Sequence, residues 1–382
     1  MELRKNGFQD ILESADVRLN GDRPWDVQVH DDRIYARILR EGTLGMGEAY
    51  MDKWWDCEQI DRLVNRIYRK GMDHHLLKVS GLLISALIIR IGMKLSLLLD
   101  RQSRKQAREV GEQHYDIGNE LYQAMLDKRM NYTCAYWRGA SDLDQAQENK
   151  LRLVCEKLNL QPGMRILDIG CGWGGFAAYA AKHYQVEVVG VTISENQLSL
   201  GQEMCSGLPV ELRFQDYRDI DETFDAVVSL GMFEHVGWKN YRHYMEKVSE
   251  LLRDKGLFLM QTIGNKTSTL HGDAWLNRYI FPHGMLPSVK QIGEAAEDCL
   301  VVEDWQNFGG YYDKTLMAWH ERFNRHWPAF KHKYSDRFRR MWNFYLLTCA
   351  GLFRARSIFL WQIVFSKNGT AGVYQRIGER TL

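Results

Sequence analysis

The sequence predicts an α/β protein in which a smaller N-terminal domain precedes a doubly wound, Rossmann-like parallel sheet. Two observations predict this fold: short apolar runs alternate with helical patterns, and one apolar run ends in a glycine-rich turn. The predicted strands lie at residues 165–169, 187–191, 210–214, 226–230 and 257–262. Helical patterns separate these runs, for example at residues 195–205 and 239–252. Strands that alternate with helices form parallel sheets with helices on both faces.

We expect each domain to be one continuous segment of the sequence. A chain of 382 residues suffices for roughly two to three domains. We expect a small N-terminal domain over residues 1–72, a linker helix over residues 73–110 and the catalytic domain over residues 111–382. Within the first domain, residues 34–40 are predicted as a strand or a short helix.

Residues 79–99 are strongly apolar and almost long enough to span a bilayer. Because two charged side chains fall inside this stretch, where a charge is costly, a spanning helix is not expected. The spacing of the basic residues keeps them on one helical face, opposite the apolar side chains. These basic residues are Arg90, Lys94, Arg101, Lys105 and Arg108. Such a helix is typical of a membrane-surface segment, and the alternative is an interdomain helix whose basic face is solvated.

Composition excludes a general attraction to nucleic acid, since 50 basic and 49 acidic side chains give a net charge of +1. Aromatic residues make up 12% of the chain, which predicts a large core or a pocket for a long apolar ligand or a cation. The seven cysteines include no C-x-x-C pair, so we expect a reduced, cytoplasmic chain without a metal site. No apolar signal segment is visible at the N-terminus.

The glycine-rich turn at residues 170–175 follows Asp168 in a buried strand. Glycine leaves no Cβ in the way, so such a turn brings backbone N–H groups close to a nucleotide-like ligand. The glycines match the dinucleotide pattern G-x-G-x-x-G, a match that does not by itself decide the ligand. NAD-binding chains usually carry an acidic residue at the tip of the next strand, whereas Thr192 stands there. The pattern apolar-Asp-apolar-Gly-x-Gly instead resembles motif I of class I methyltransferases, which favours S-adenosylmethionine.

Four further segments carry side chains suited to chemistry: residues 111–119, 131–137, 231–237 and 311–319. They contain, in order, His-Tyr-Asp-Ile-Gly-Asn, Tyr-Thr-Cys-Ala-Tyr-Trp, Phe-Glu-His-Val-Gly and Tyr-Tyr-Asp-Lys. Together with Gly-Cys-Gly-Trp-Gly-Gly, these motifs closely resemble those of the bacterial cyclopropane fatty acid synthases and, more distantly, the mycolic acid cyclopropane synthases. The resemblance covers nearly the whole chain, and it rests on several site motifs in the family's order rather than on the fold alone.

The resemblance implies an S-adenosylmethionine-dependent methyltransferase that builds a cyclopropane ring on a cis double bond of a phospholipid acyl chain. The alkene attacks the sulfonium methyl group, and the resulting carbocation loses a proton as the ring closes. Since an alkene is a poor nucleophile, catalysis needs close positioning and exclusion of water. Tyr115 matches a family tyrosine placed near the cation, which an aromatic face stabilises.

The resemblance also implies a bound bicarbonate ion that accepts this proton. The residues that match its holders are Cys134, Glu234, Ile263 (through its backbone) and Tyr312. A fifth holder is a histidine in the family and Gln261 here. Glutamine forms hydrogen bonds but cannot exchange a proton near pH 7 as histidine can. If glutamine at this position weakens the base, the cation could lose a different proton. The alternative activity is therefore formation of a methyl- or methylene-branched chain.

The resemblance further implies a set of cofactor contacts. Tyr132 and Thr133 face the methionine end, while Tyr217 and Arg218 flank the adenine; for Arg218 a surface ion pair is the alternative. The matched cofactor positions are Tyr132, Thr133, Asp168, Gly170, Gly172, Gly174, Thr192, Ile193, Gln197, Tyr217 and Arg218.

As partners, the resemblance implies unsaturated phospholipid and a second copy of the chain. Since the N-terminal module resembles the family's smaller domain, which is implicated in dimer formation and lipid docking, we expect a homodimer that docks peripherally on the inner face of the membrane. Dimerisation would place two basic linker segments on one membrane face and so raise avidity. A non-catalytic scaffold or membrane-binding protein with an old methyltransferase fold is a third possibility. The intact glycines, Glu234, Cys134 and Tyr312 argue against it.

Overall fold

The computed structural model describes residues 8–10, 12–71 and 118–376. The chain forms two compact units, each assembled from separate stretches of sequence. The sheet unit comprises Gln102–Thr269, His283–Thr315 and Phe359–Leu382, and the helical unit comprises Met1–Arg101, Leu270–Pro282 and Leu316–Ile358. The predicted linker helix over residues 73–110 lies outside the described residues, and so does Tyr115.

In chain order, the strands and α-helices include β1 (Gln28–Val29), α1 (Arg33–Glu41), α2 (Thr43–Met51), β2 (Trp55–Asp56), α3 (Ile60–Arg69), α4 (Asn119–Met125), α5 (Leu143–Lys157), β3 (Arg165–Ile169), α6 (Gly175–Tyr184), β4 (Glu187–Thr192), α7 (Glu195–Met204), β5 (Val210–Phe214), β6 (Phe224–Leu230), α8 (Tyr241–Leu251), β7 (Leu252–Asn265), α9 (Ala274–Tyr279), α10 (Val289–Ala296), β8 (Val301–Asn307), α11 (Gly310–Phe330), α12 (Asp336–Arg354) and β9 (Ile358–Ser366). Short 3-10 turns lie at Tyr217–Asp219, Phe233–His235 and Trp238–Asn240. Within the described ranges, none of the helices has both the length and the hydropathy needed to cross a membrane.

A seven-stranded sheet in the order β5-β4-β3-β6-β7-β9-β8 organises the sheet unit. Strands β3 to β7 pair in parallel, whereas β8 and β9 pair antiparallel. The chain proceeds outward in one direction from β3 and in the other from β6. Such a reversal opens a crevice at the carboxyl ends of the strands, where ligands of doubly wound sheets bind.

Both faces of the sheet are buried, as parallel strands require. On one face, Leu167 of β3 belongs to a core cluster completed by α8 and α10. On the other face, the neighbouring Ile166 belongs to a cluster completed by α5 and α6. The same alternation sends Met260 and Leu259 of β7 to opposite faces.

The predicted α/β fold with its doubly wound sheet is confirmed. All five predicted strands occur as β3 to β7, and residues 34–40 lie in the helix α1. The sequence analysis missed β8 and β9. Strand β8 is half-exposed and carries two acidic residues, so it lacks the apolar run by which the buried strands were found.

The helical unit joins the N-terminal elements to helices from much later in the chain. Strands β1 and β2 form a short antiparallel pair, with Val29 opposite Trp55. A Cβ at Gly47 of α2 would lie 2.3 Å from the ring of Trp275 in α9. Likewise, a Cβ at Gly351 of α12 would lie 2.6 Å from the carbonyl oxygen of Asp61 in α3. This unit therefore differs from the contiguous 1–72 domain that was expected, because short helices need further apolar cover to form a core.

Arg340 of α12 contacts the N-terminal elements α2 and β2 within this unit. Its guanidinium lies 3.9 Å from the ring centroid of Tyr50. It also donates to the carbonyl oxygens of Tyr50 at 2.6 Å and Trp55 at 3.1 Å, and to the carboxylate of Asp56 at 2.7 Å. The guanidinium of Arg340 therefore binds α2 and β2 at the same time.

We expect Arg340→Met to lower the free energy of unfolding by about 2–4 kcal/mol, because it leaves several acceptors without their donor. Arg340→Lys should restore only part of this loss, since an ammonium lacks the planar fork. Urea unfolding measures both variants. The control Arg325→Met removes an exposed pair with Glu321 and should change stability by less than about 0.5 kcal/mol; equal losses in Arg340→Met and Arg325→Met would contradict the anchoring role.

Candidate active site

The glycine-rich turn after β3 adopts a backbone that only glycine tolerates easily. Gly170, Gly172 and Gly174 have φ angles of 77°, 55° and 76°, in the left-handed region. The N–H groups of Gly170 and Cys171 donate to the carbonyl oxygen of Val191 at 3.0 and 3.1 Å, which fixes the turn to the end of β4. The turn then leads into the N-terminus of α6, a position that favours anionic and polar ligand groups.

Two further segments predicted to be functional lie beside this turn. A Cβ at Gly170 would lie 3.0 Å from the side chain of Met232, in the turn that follows β6. A Cβ at Gly231 would lie 2.9 Å from the methyl group of Thr133. The glycine turn, the β6 turn and residues 131–135 therefore line one crevice at the carboxyl ends of the strands.

Asp168 lies near the end of β3, two residues before Gly170, with only 2% of its surface exposed. Burial raises the pKa of its carboxyl group to about 7, against an opposing effect of the Lys150 charge. A buried acidic group beside a ligand crevice is suited to accept a hydrogen bond from a polar or cationic ligand.

The end of β4 supplies a second polar patch. The hydroxyl of Thr192 donates to Oε1 of Gln197 at 3.1 Å, and both side chains are buried. Ile193 lies in the turn between them, and Ser194 caps α7 by accepting from the N–H of Gln197. The structure therefore places the predicted residues Thr192, Ile193 and Gln197 together at the start of α7.

Tyr217 and Arg218 lie in the 3-10 turn after β5. The ring of Tyr217 packs edge-on against Tyr244 at 5.2 Å, and burial raises its pKa to about 12. The guanidinium of Arg218 binds the carboxylate of Asp216 at 2.8 and 2.5 Å. The ion pair considered as the alternative for Arg218 is thus present and fixes the orientation of its side chain.

Lys150 of α5 is a fully buried cation that sequence reasoning missed. Its Nζ donates to Oδ1 of Asn131 at 2.9 Å and to the hydroxyl of Thr133 at 3.2 Å. Burial lowers its pKa to about 8, while nearby negative groups, led by Asp127, favour the charged form. Asp127 in turn accepts from the backbone and side-chain amides of Asn131 at 2.7 and 3.0 Å. This network fixes the segment that carries Tyr132 and Thr133.

A signal for Lys150 was present in the sequence. The buried residues of α5 recur with helical spacing, and Gln147 and Lys150 occupy positions of that apolar face. Polar residues at core positions require partners. Gln147 has such partners, because its side-chain amide donates to the carbonyl oxygens of Asn131 and Thr133 at 3.3 and 2.8 Å.

Cys134 is fully buried next to Thr315, in the first turns of α11. Its Sγ lies 4.0 Å from the hydroxyl of Thr315, and burial raises the pKa of the thiol far above its ordinary value. The Thr315 hydroxyl also accepts from the Ala135 N–H at 3.2 Å and the Trp137 indole at 2.9 Å. Cys134 therefore remains a neutral thiol rather than a nucleophile. Tyr312, also buried, lies in the same turns.

Glu234 follows β6 and is bound to the end of β7. Its Oε1 accepts from the Ile263 N–H at 2.6 Å, whereas its Oε2 is buried without a hydrogen-bond partner. Burial raises the pKa of this carboxyl group to about 7. Glu234 can therefore hold or release a proton near neutral pH.

Gln261 lies on β7, two residues before Ile263, with 1% of its surface exposed. Its Oε1 accepts from Nε2 of Gln362 on β9 at 2.9 Å, and its own Nε2 is buried without a partner. Gln362 was not predicted, because it belongs to a strand that the sequence analysis missed. In the described ranges, no group of three His, Cys, Asp or Glu side chains is arranged to hold a metal ion.

Comparisons with known proteins identify the relatives of this site. Residues 102–363 match the family described as mycolic acid cyclopropane synthetase. The cyclopropane-fatty-acyl-phospholipid synthase of Escherichia coli K12 is 48% identical over 95% of this chain and 94% of its own. The cyclopropane synthase MmaA2 of Mycobacterium tuberculosis superposes with a TM-score of 0.64 at 29% identity, over 68% of this chain and 98% of its own. The synthase CmaA1, complexed with SAH and CTAB, has a TM-score of 0.63 at 30% identity, over 68% and 98% of the two chains.

The raised pKa of Glu234 predicts a pH-dependent loss of stability. Between about pH 4.5 and 7 the unfolded chain has this group ionised while the folded protein keeps its proton, so folding is favoured less as pH rises. We expect the wild-type free energy of unfolding to fall relative to that of Glu234→Gln by up to about 3 kcal/mol across this window. Urea unfolding of the cofactor-free proteins measures the difference.

The control for this experiment is Glu250→Gln on α8, whose carboxylate is 70% exposed. Its stability should follow the wild-type pH dependence. Parallel curves for wild type and Glu234→Gln would show that Glu234 keeps an ordinary pKa in the folded protein.

Proposed function

The chain belongs to the mycolic acid cyclopropane synthetase family, and on that basis we propose that it transfers the methylene group of S-adenosylmethionine to a cis double bond of an unsaturated phospholipid acyl chain. The product is a cyclopropane ring. The match to the E. coli phospholipid synthase, which extends over 95% of this chain, carries the assignment of the substrate.

For the cofactor, we propose that the crevice at the glycine-rich turn binds S-adenosylmethionine. The N–H groups of the turn approach the ligand closely because no Cβ intervenes. Asp168 would accept hydrogen bonds from it, and the Thr192–Gln197 pair would hold its ribose and adenine. Tyr132 and Thr133, the latter bound by Lys150, would face the sulfonium end.

For the chemistry, the alkene's π electrons would form a bond to the methyl carbon as its bond to sulfur breaks. This would release S-adenosylhomocysteine and leave a carbocation on the alkyl chain. Neutral surroundings are required there, because an ionised nucleophile would trap the cation. The buried thiol of Cys134 meets that requirement, since burial keeps it protonated. We assign to Tyr115 an aromatic face near the cation.

For the base, we propose a bicarbonate ion held by Cys134, Glu234, Gln261 and Tyr312, with Ile263 acting through its backbone. The buried, unpartnered atoms fit such an ion: Nε2 of Gln261 offers a donor and Oε2 of Glu234 an acceptor. Bicarbonate has both acceptor oxygens and an O–H group, so it can satisfy both. When bound, it supplies a base for the proton that the methyl carbon loses on ring closure. Because the Ile263 N–H already donates to Glu234, Ile263 also orients the carboxylate of Glu234.

A second activity is favoured by one observation, the glutamine at position 261. An amide binds an anion but does not itself exchange a proton near pH 7. If the cation loses a proton from a chain carbon, the product is a methyl-branched alkene. If a hydride first shifts from the methylated carbon to the cation, loss of a methyl proton gives a methylene-branched chain. Among the relatives, a tuberculostearic acid methyltransferase of M. tuberculosis is 30% identical over 88% of this chain.

For location and assembly, we propose a homodimer at the cytoplasmic face of the membrane. The basic residues between positions 90 and 108 attract anionic headgroups, and two copies on one face raise avidity.

The first test incubates the protein with unsaturated phospholipid vesicles and S-adenosylmethionine, with and without bicarbonate, and measures the lipid mass. We expect a gain of one CH₂ that resists mild hydrogenation and falls when bicarbonate is removed. A gain whose product takes up hydrogen under mild conditions identifies an unsaturated methyl- or methylene-branched product instead. No gain, together with no calorimetric binding of S-adenosylmethionine, would support the scaffold alternative.

The second test changes Gln261→His. If glutamine weakens the base, the variant should give a larger share of cyclopropane among its products, measured by mass spectrometry after mild hydrogenation. If wild type and Gln261→His give the same product ratio, position 261 does not select the product.

A further inference from the structure

We propose that Gln362 is a positioning residue that fixes the amide of Gln261 so that its N–H₂ group faces the anion site. The inference rests on the proposed function, because it concerns the ion that Gln261 would hold. It goes beyond that function by assigning a role to a residue outside the predicted site.

The geometry of the two amides carries this inference. Gln261 and Gln362 lie on β7 and β9, which are neighbours in the sheet. Their side chains are 1% and 0% exposed, and Nε2 of Gln362 donates to Oε1 of Gln261 at 2.9 Å. An amide whose oxygen is engaged in this way can present only its nitrogen, which donates, on the other side.

Stability alone does not explain a glutamine at position 362. The other inner residues of β9, from Leu360 to Phe365, are apolar and buried. Oε1 of Gln362 and Nε2 of Gln261 are both buried without a partner. A buried polar atom without a partner costs about 1–3 kcal/mol, so an apolar pair would stabilise the sheet more. A ligand that accepts from Nε2 of Gln261 would recover part of this cost.

The surroundings agree with an anion at this position. Leu259 of β7 and Val364 of β9 alternate with the two glutamines and belong to the core cluster on the α5 face. A fixed N–H donor held in an apolar, water-excluded setting binds an anion more strongly than a freely rotating one, because no reorganisation is needed.

The test measures the rise in Tm that bicarbonate produces in the full chain with S-adenosylhomocysteine bound, against chloride at equal pH and ionic strength. For Gln362→Met, the bicarbonate concentration that gives half of the maximal rise should increase about tenfold, because the donor is no longer oriented. Calorimetric binding of S-adenosylhomocysteine should stay at the wild-type value. If Gln362→Met does not fold, Gln362→Asn shortens the side chain so that its amide no longer reaches Gln261, and the same increase is expected.

A double-mutant cycle separates positioning from a general structural effect. In a Gln261→Met background, adding Gln362→Met should cause no further change in the bicarbonate response. The matched control is Gln306→Met on β8, since Gln306 is in register with Gln362 and accepts from the buried Lys157 at 2.7 Å. Its bicarbonate response should equal that of the wild type.

The outcomes distinguish the two proposals. An unchanged response in Gln362→Met, or an equal shift in both backgrounds, overturns the positioning role while leaving the bicarbonate site intact. A wild-type protein without any bicarbonate-dependent rise in Tm overturns the proposed ion and this inference together.

Discussion

Burial of polar and ionisable groups at the carboxyl end of the sheet is the constraint on which the rest of this structure depends. Asp168, Glu234 and Lys150 are each almost wholly shielded from water, and burial moves the pKa of each toward neutrality. Such groups are tolerated only where hydrogen bonds and neighbouring charges compensate for lost hydration. Asn131 and Thr133 accept from Lys150, the Ile263 N–H donates to Glu234, and the Lys150 charge acts on Asp168, so each group has part of that compensation.

The same burial suits the proposed chemistry. A carbocation survives only where water and ionised nucleophiles are absent, and a neutral thiol, aromatic rings and apolar strands provide such surroundings. A carboxyl group with a pKa near 7 can keep its own proton in this setting, or it can accept a hydrogen bond from the O–H group of a bound anion. In either case, the site does not need a permanently ionised carboxylate. The site therefore combines weakly charged side chains with fixed donors, rather than strong acids and bases.

In the helical unit, the N-terminal helices pack against helices that lie more than 200 residues later in the chain. Helices α1 to α3 are short and cannot enclose a core by themselves. They acquire one from α9 and α12, through Trp275 against Gly47 and through Arg340 beneath Tyr50. The sequence pattern left residues 34–40 open between a strand and a helix, and local patterns contain no information about which distant helix covers each of these elements.

The sequence by itself determined the doubly wound sheet, the glycine turn and the family, because these depend on local patterns: buried strands, positive φ angles and short motifs in a fixed order. The tertiary structure alone decided the partners of the buried polar groups. Lys150 meets Thr133, and Gln362 meets Gln261, only after α5 and β9 have packed against the sheet. These contacts join residues 17 and 101 positions apart in the chain, beyond the reach of helix or strand periodicity. Their energies therefore belong to the assembled core and leave no local signal that identifies the partner.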